Sequence, residues 1–249
     1  MKKFSMSLLC SSILVLSLSA KDIQKSNFVY IDDNLLKNSL LTILRDKLTT
    51  CDKFQETTKQ LANYLVFKSS EFLNVEKKEV QTPVAKFNDG IKIKKNPILI
   101  SIWRAGLSLL PTFQEYFKGS SVGFFGIKRN EKTAEPMIYY KNLPKIEKDD
   151  QVFILETMLA TGGSLSLALS YLKETGIDEK NIIIVCVIAA TEGVARLKSE
   201  YPQIKIVAAG LDEELNDKKY IVPGLGDYGD RYFGNDEEQW FEKLQTHHA

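Results

Sequence analysis

The chain has almost no histidine. Its two, His247 and His248, fall in the last three residues. Neither a Ser-His or Cys-His nucleophile pair nor a histidine-rich metal site can therefore form in the body of the protein. Cysteine is nearly as scarce: Cys10, Cys51 and Cys186 show no CxxC spacing and make no disulfide framework. Cys186 lies inside IIIVCVI and reads as a buried structural thiol rather than a reactive one. An excess of charge is missing too. The formal net charge of +1 argues against a dedicated nucleic-acid binder. Of 33 basic residues only five are arginine, namely Arg45, Arg104, Arg129, Arg196 and Arg231. The guanidinium fork suits bidentate anion contacts better than the lysine point charge, so each of the five merits attention. Any chemistry must rest on carboxylates, arginines and backbone amides.

What is present fits a single α/β domain. A hydrophobic share of 44% supports a real core, and neither an internal repeat nor a low-complexity linker interrupts the 249 residues. Residues 1–20, MKKFSMSLLCSSILVLSLSA, join two lysines to a leucine-rich stretch and small residues at Ser17 and Ser19. This matches a secretory signal peptide, and the apolar run is too short for a comfortable membrane span. The alternative is an extension from an upstream start codon with no targeting role. We set this leader apart from the domain, which we take as residues 21–249.

Between residues 34 and 73 apolar positions recur at helical spacing and predict two helices, broken near Thr49-Thr50. From residue 96 the pattern changes. NPILISIW, VGFFGIK, QVFIL, NIIIVCVIAA and IKIVAAG predict five strands, and RAGLSLLPTFQEYF, SLSLALSYLKETG and EGVARLKSEYP predict helices between them. Strands too apolar to face water, alternating with helices, imply a parallel sheet covered on both faces. YIVPGLGDYGDRYFG, rich in glycine and aromatics, has neither period and reads as a long ordered loop of functional character.

In LETMLATGGSL (155–165) the third of these strands runs into a glycine-rich turn and then a helix. Ligands gather at the carboxyl ends of strands in open parallel sheets. Thr161-Gly162-Gly163-Ser164 falls there, where successive amides, the helix dipole and hydroxyls can close around a phosphate monoester. Glu156 at the strand terminus is placed to accept hydrogen bonds from sugar hydroxyls or metal-bound water. Alone, TGGS is equally compatible with a ligand-free turn. The Walker pattern and a G-x-G-x-x-G turn after the first strand are absent, which weakens triphosphate and dinucleotide readings.

Strand, acidic residue, short spacer and T-G-G-S resemble the 5-phosphoribosyl 1-diphosphate (PRPP) motif of type I phosphoribosyltransferases, and MLATGGS is similar to its form in the uracil phosphoribosyltransferase family. TILRDK (42–47) resembles that family's N-terminal helix and RAGL (104–107) its first phosphate-contacting turn. GIKRNEKT (126–133) and YYKNLP (139–144) resemble its flexible hairpin, AATEG (189–193) its AAPEG, and YIVPGLGDYGDRYFG (220–234) its uracil-binding hood. The last is the most specific, and the match runs from about residue 29 to 234.

The resemblance implies a type I phosphoribosyltransferase fold, with a central parallel sheet flanked by helices, a flexible hairpin and a C-terminal hood. It divides the domain into a helical N-terminal extension (30–75), a core (96–210) and a uracil-binding hood (211–235). It implies an enzyme that transfers the phosphoribosyl group from PRPP to uracil N1, giving UMP and diphosphate. Carried over by position, Arg104 and Arg129 hold the diphosphate. Glu156, Thr157, Met158, Leu159, Ala160, Thr161, Gly162, Gly163 and Ser164 hold the ribose 5-phosphate. Ile221, Gly226, Asp227 and Tyr228 hold uracil, with Asp227 also on the ribose and metal side. The hairpin around 129–141 is expected to close over the site. Mg²⁺ is expected to arrive through PRPP rather than on direct protein ligands, and GTP is a candidate allosteric activator. A homodimer or homotetramer is expected, with no nucleic-acid partner and no stable membrane span. A cytoplasmic location follows from the intracellular substrate, against the leader.

Three departures stand out. The family usually has Asp-Pro where this chain has Glu156-Thr157, SIWRAGL replaces PVLRAGL and puts Trp103 beside Arg104, and Tyr228 takes a place often held by alanine. If main-chain groups read uracil, the Tyr228 side chain can point elsewhere. The Glu156-Thr157 change keeps open a non-catalytic sensor of uracil, PRPP or nucleotide, and the cradle alone also fits a phosphoribosyltransferase for another base.

Overall fold

The computed structural model describes residues 28–129 and 135–235, with the side chain of Arg129 left out. The leader lies outside the described residues. Two helices, α1 (Leu35–Arg45) and α2 (Cys51–Ser70), open the domain. Asn34 caps α1, its Oδ1 accepting from Lys37 N at 2.9 Å. The break at Thr49-Thr50 is as expected.

The sheet is built of β1 (Val29–Tyr30), β4 (Ile98–Trp103), β5 (Val122–Arg129), β6 (Pro136–Asn142), β7 (Val152–Leu155), β8 (Met158–Leu159), β9 (Ile182–Ala190) and β10 (Lys205–Asp212). Its order is β1-β10-β9-β7-β4-β5-β6, with β8 also beside β9. Every pairing is parallel except β5 with β6. All five predicted strands are present, with the three most apolar, β4, β7 and β9, at the centre.

Alternation along β9 shows why a continuous apolar run was needed. Ile182, Ile184 and Cys186 pack into one core with Leu165, Leu169 and Leu172 of α4 (Gly163–Glu174) and Leu197 of α5 (Thr191–Glu200). Ile183, Val185 and Val187 pack into the other, with Leu44 of α1, Phe54 and Leu65 of α2 and Phe113 of α3 (Leu110–Tyr116). Cys186 is fully buried, and desolvation pushes its thiol pKa far up, as an inert packing residue requires.

Three features differ from expectation. The N-terminal extension is not purely helical, because β1 adds a strand beside β10. RAGLSLLPTFQEYF is a 3₁₀ turn over Ala105–Ser108 followed by the short α3, since Pro111 starts a helix rather than continuing one. Between extension and core stands an antiparallel hairpin, β2 (Val75–Gln81) with β3 (Lys86–Ile93), exposed almost throughout. Two short strands, β11 (Glu214–Leu215) and β12 (Ile221–Val222), pair to frame the hood, which ends in α6 (Tyr228–Phe233). Among the described residues no helix is long and apolar enough to cross a membrane.

Candidate functional site

The cradle forms where β7 gives way to α4. Glu156, Met158, Leu159 and 160–165 line a small cavity of about 80 Å³ there. That is the scale of one phosphate group, not of a whole nucleotide. Gly162 occupies the N-cap position of α4 with φ +75° and, lacking a side chain, makes no cap hydrogen bond; Thr161 Oγ1 accepts only a long bond from Gly163 N, at 3.4 Å. Helices α1 and α6, by contrast, are capped by Asn34 and Asp227. Apart from the long bond to Thr161, the first amides of α4 are open to a ligand, at the positive end of the helix dipole. A Cβ on Gly162 would stand 3.1 Å from Gly193 O and 3.5 Å from Arg196 Cδ, so the AATEG segment backs the cradle directly. Leu159, 1% exposed, anchors the loop beside β9, while Thr157 is buried with its hydroxyl unpartnered among the described residues.

The Arg104 turn follows β4, the neighbour of β7. Here Gly106 is required by close approach, because a Cβ would lie 2.3 Å from Leu155 O. This contact seats the turn against the strand end that carries Glu156. Trp103 stacks on Tyr140 of β6 with ring centroids 4.9 Å apart and planes at 5°. Arg104 itself is 56% exposed and donates from Nη2 to Asp230 Oδ1 at 2.9 Å.

That ion pair brings the hood to the same edge. Asp227 caps α6, its Oδ1 accepting from Asp230 N at 3.0 Å. Ile221 is buried in β12, and Gly226 has φ +80°. Tyr228 turns inward: it is 1% exposed, its hydroxyl lies 2.7 Å from Thr58 Oγ1, and its ring meets Phe54 edge-on. Burial pushes its phenol pKa well up. The aromatic side chain is thus a core residue, and at position 228 only the backbone is open to a ligand.

Over residues 30–235 the chain matches the family model described as uracil phosphoribosyltransferase. The chain belongs to the uracil phosphoribosyltransferase family. It is 40% identical over 207 residues to the uracil phosphoribosyltransferase of Limosilactobacillus fermentum, spanning 83% of this chain and 98% of that one. The Finegoldia magna protein of the same name is 40% identical over 209 residues, 84% and 99% of the two chains. Among solved structures, the AQ2163 protein of Aquifex aeolicus superposes with a TM-score of 0.74 at 36% identity, covering 83% of this chain and 98% of its own. Adenine phosphoribosyltransferase of Leishmania donovani, at 14% identity, TM-score 0.51 and 79% and 89% coverage, shares the fold.

Of the residues assigned from the family's motifs, the structure gathers Arg104, Glu156 to Ser164 and Asp227 to Tyr228 along the carboxyl ends of the strands. Arg129 ends β5, paired with Pro136, and its side chain is outside the described residues. Sequence reasoning gave Arg196 no role, yet its Nη1 lies 3.5 Å from where a Gly163 Cβ would stand, while its Nε donates to Glu200. No spacing rule signals that proximity.

Glu156 departs from the family's usual Asp, and its environment departs from an ordinary carboxylate's. Desolvation raises its pKa from 4.5 to about 7, only partly opposed by the amides of Thr157, at 2.8 Å, and Met158. The folded state therefore binds this proton more tightly than the unfolded chain. The associated stability is full below pH 4.5 and is lost as pH rises through about 7. Glu156→Gln is expected to raise Tm at pH 8 by about 3–6 °C, for about 1–2 kcal/mol after screening by solvent in the cleft. At pH 5 the gain should shrink toward zero. Equal gains at both pH values in thermal melts would contradict this account.

The inward Tyr228 makes a second prediction. Tyr228→Phe removes the partner of Thr58 Oγ1 inside the core and should cost about 1–2 kcal/mol, or roughly 2–8 °C in Tm. The KM for uracil should stay within twofold, because the backbone is unchanged. A large KM rise with unaltered Tm would place the side chain in the base site instead.

Proposed function

We propose that the protein transfers the 5-phosphoribosyl group of PRPP to N1 of uracil. The C1′–O bond to diphosphate breaks, the N1–C1′ bond forms, and the N1 proton leaves to water or to the departing diphosphate. The observation that carries this reading is the convergence, at one sheet edge, of an uncapped amide cradle, a cationic turn and a main-chain base loop.

Each part has a role that needs no histidine. The amides of 161–164 hold the 5-phosphate and fix the ribose relative to the rest of the cleft. Arg104, with Arg129 from the neighbouring hairpin, offsets charge developing on the leaving diphosphate. Glu156 accepts from ribose hydroxyls and does so best above its raised pKa. In this reading the 226–228 segment supplies the main-chain groups that select uracil over cytosine or orotate.

Mg²⁺, when bound with the diphosphate, neutralises that group's charge. Asp227, whose second carboxylate oxygen is not used in capping, and Glu156 would hold it through metal-bound water rather than as direct ligands, in keeping with magnesium's reluctance to shed its water shell. Relatives matched over nearly their whole length bear the enzyme's name, which favours catalysis over the sensor reading.

The deciding assay is conversion of radiolabelled uracil to UMP with PRPP and Mg²⁺, with cytosine and orotate as competitors and with or without GTP. Binding without turnover, or equal use of all three bases, overturns the proposal.

A further inference from the structure

We propose that Arg45 and Arg231 are positioning residues for the base-binding loop, fixing the peptides of Gly224 and Leu225 to the C-terminal end of α1 and so setting the affinity for uracil. This inference rests on the functional reading above.

Arg45 is the last residue of α1 and meets Asp212, the last residue of β10, with a full fork. Nη2 donates to Oδ1 at 2.7 Å and Nη1 to Oδ2 at 2.9 Å. Asp212 is 5% exposed, so the pair is well shielded on the acid side. Both backbone polar groups of Gly224, on the two peptide units that flank its Cα, are gripped by this ion pair. Gly224 N donates to Asp212 Oδ2 at 2.8 Å, and Gly224 O accepts from Arg45 Nη1 at 2.8 Å.

Arg231 grips the next carbonyl. Its Nη1 donates to Leu225 O at 2.7 Å and also to Leu44 O, and its Nη2 donates to Asp46 O at 2.6 Å. Leu44 and Asp46 stand at the end of α1, where a helix leaves carbonyls unpaired and favours a cation. The guanidinium lies 4.5 Å over the Phe54 ring and is partly desolvated.

Two of the chain's five arginines are thus spent on the two residues just ahead of 226–228. A base read by main-chain groups needs that main chain held to a fraction of an ångström. Backbone cannot be tuned by rotamers, so rigid planar forks from outside the loop are a suitable means. Lysine cannot reproduce them. Among the described residues, the hydrogen bonds of both arginines run to α1, Asp212 and the loop, and none to the phosphate cradle. Their loss should therefore be felt in uracil binding and not in PRPP binding.

The test is a comparison of Arg45→Gln, Arg45→Lys, Asp212→Asn and Arg231→Lys by steady-state kinetics, with Tm measured alongside. We expect the KM for uracil to rise at least tenfold in Arg45→Gln and at least threefold in the two lysine variants. The KM for PRPP should stay within twofold. Should Arg45→Gln fail to fold, the charge-retaining lysine variants carry the same expectation. Unchanged uracil KM in folded variants overturns the inference, as does a parallel rise in both KM values tracking a fall in Tm. If the wild-type protein makes no UMP at all, the functional reading is what fails.

Discussion

Gly162→Val should cut affinity for PRPP at least a hundredfold while leaving a folded protein. The native backbone at this position is left-handed, with φ +75°, which a β-branched residue rarely adopts and which costs about 1–3 kcal/mol when forced. The added Cβ would stand 3.1 Å from the carbonyl oxygen of Gly193, a backbone atom that cannot swing aside. Relief requires the loop to move, and moving it shifts the N-terminal amides of α4 away from the proposed phosphate position. Charge-assisted hydrogen bonds lost in this way are worth roughly 1.5–3 kcal/mol each, so a loss of about 3 kcal/mol or more is a modest expectation. Gly162→Ala, unbranched but equally left-handed, should fall between wild type and valine. Calorimetric titration with PRPP, with circular dichroism as the check on folding, reads the result. Undiminished binding by folded Gly162→Val would remove the cradle from the mechanism.

The second large effect is expected at Arg104. If Arg104 holds the diphosphate as proposed, replacing it with alanine should lower kcat/KM by roughly 10²–10³-fold, the range seen when one preorganised charge-stabilising donor is deleted. Stability should move by less than about 0.5 kcal/mol, because the partner interaction with Asp230 lies in solvent. Arg104→Lys should recover only part of the loss, since a point charge cannot copy the fork. The split between activity and Tm is what separates this role from a structural ion pair. A kcat/KM within fivefold of wild type in Arg104→Ala would exclude Arg104 from the diphosphate site.

The parts legible in the sequence share one property: burial or backbone geometry writes itself into local residue choice. β9 is nine buried residues, and IIIVCVIAA has no polar position that could face water. The cradle is legible because glycine is the residue most at ease in a left-handed turn such as φ +75° at Gly162, and the hood because a long run of glycines and aromatics follows neither the helical nor the strand period. The hairpin of β2 and β3 left no such trace. Both its faces are exposed: VEKKEVQ is mostly charged, and the partial alternation of Phe87, Ile91 and Ile93 in KFNDGIKI marks no buried face. β1, with two residues, is too short for any period. The ties to the hood were hidden for another reason. Arg45 and Asp212 are 167 positions apart and meet only because α1 ends over the tip of β10. The freedom foreseen for the Tyr228 side chain was realised in one direction only, inward to Thr58, a destination that the hood stretch by itself does not contain.

The face-to-face stack of Trp103 on Tyr140 joins the residue before Arg104 to the strand that pairs with β5, whose last residue is Arg129. Displacement of either edge must therefore slide one aromatic plane over the other. With Trp240 replaced by phenylalanine, indole emission would come from this point alone, giving the protein an internal optical gauge of the spacing between these two strands beside Arg104.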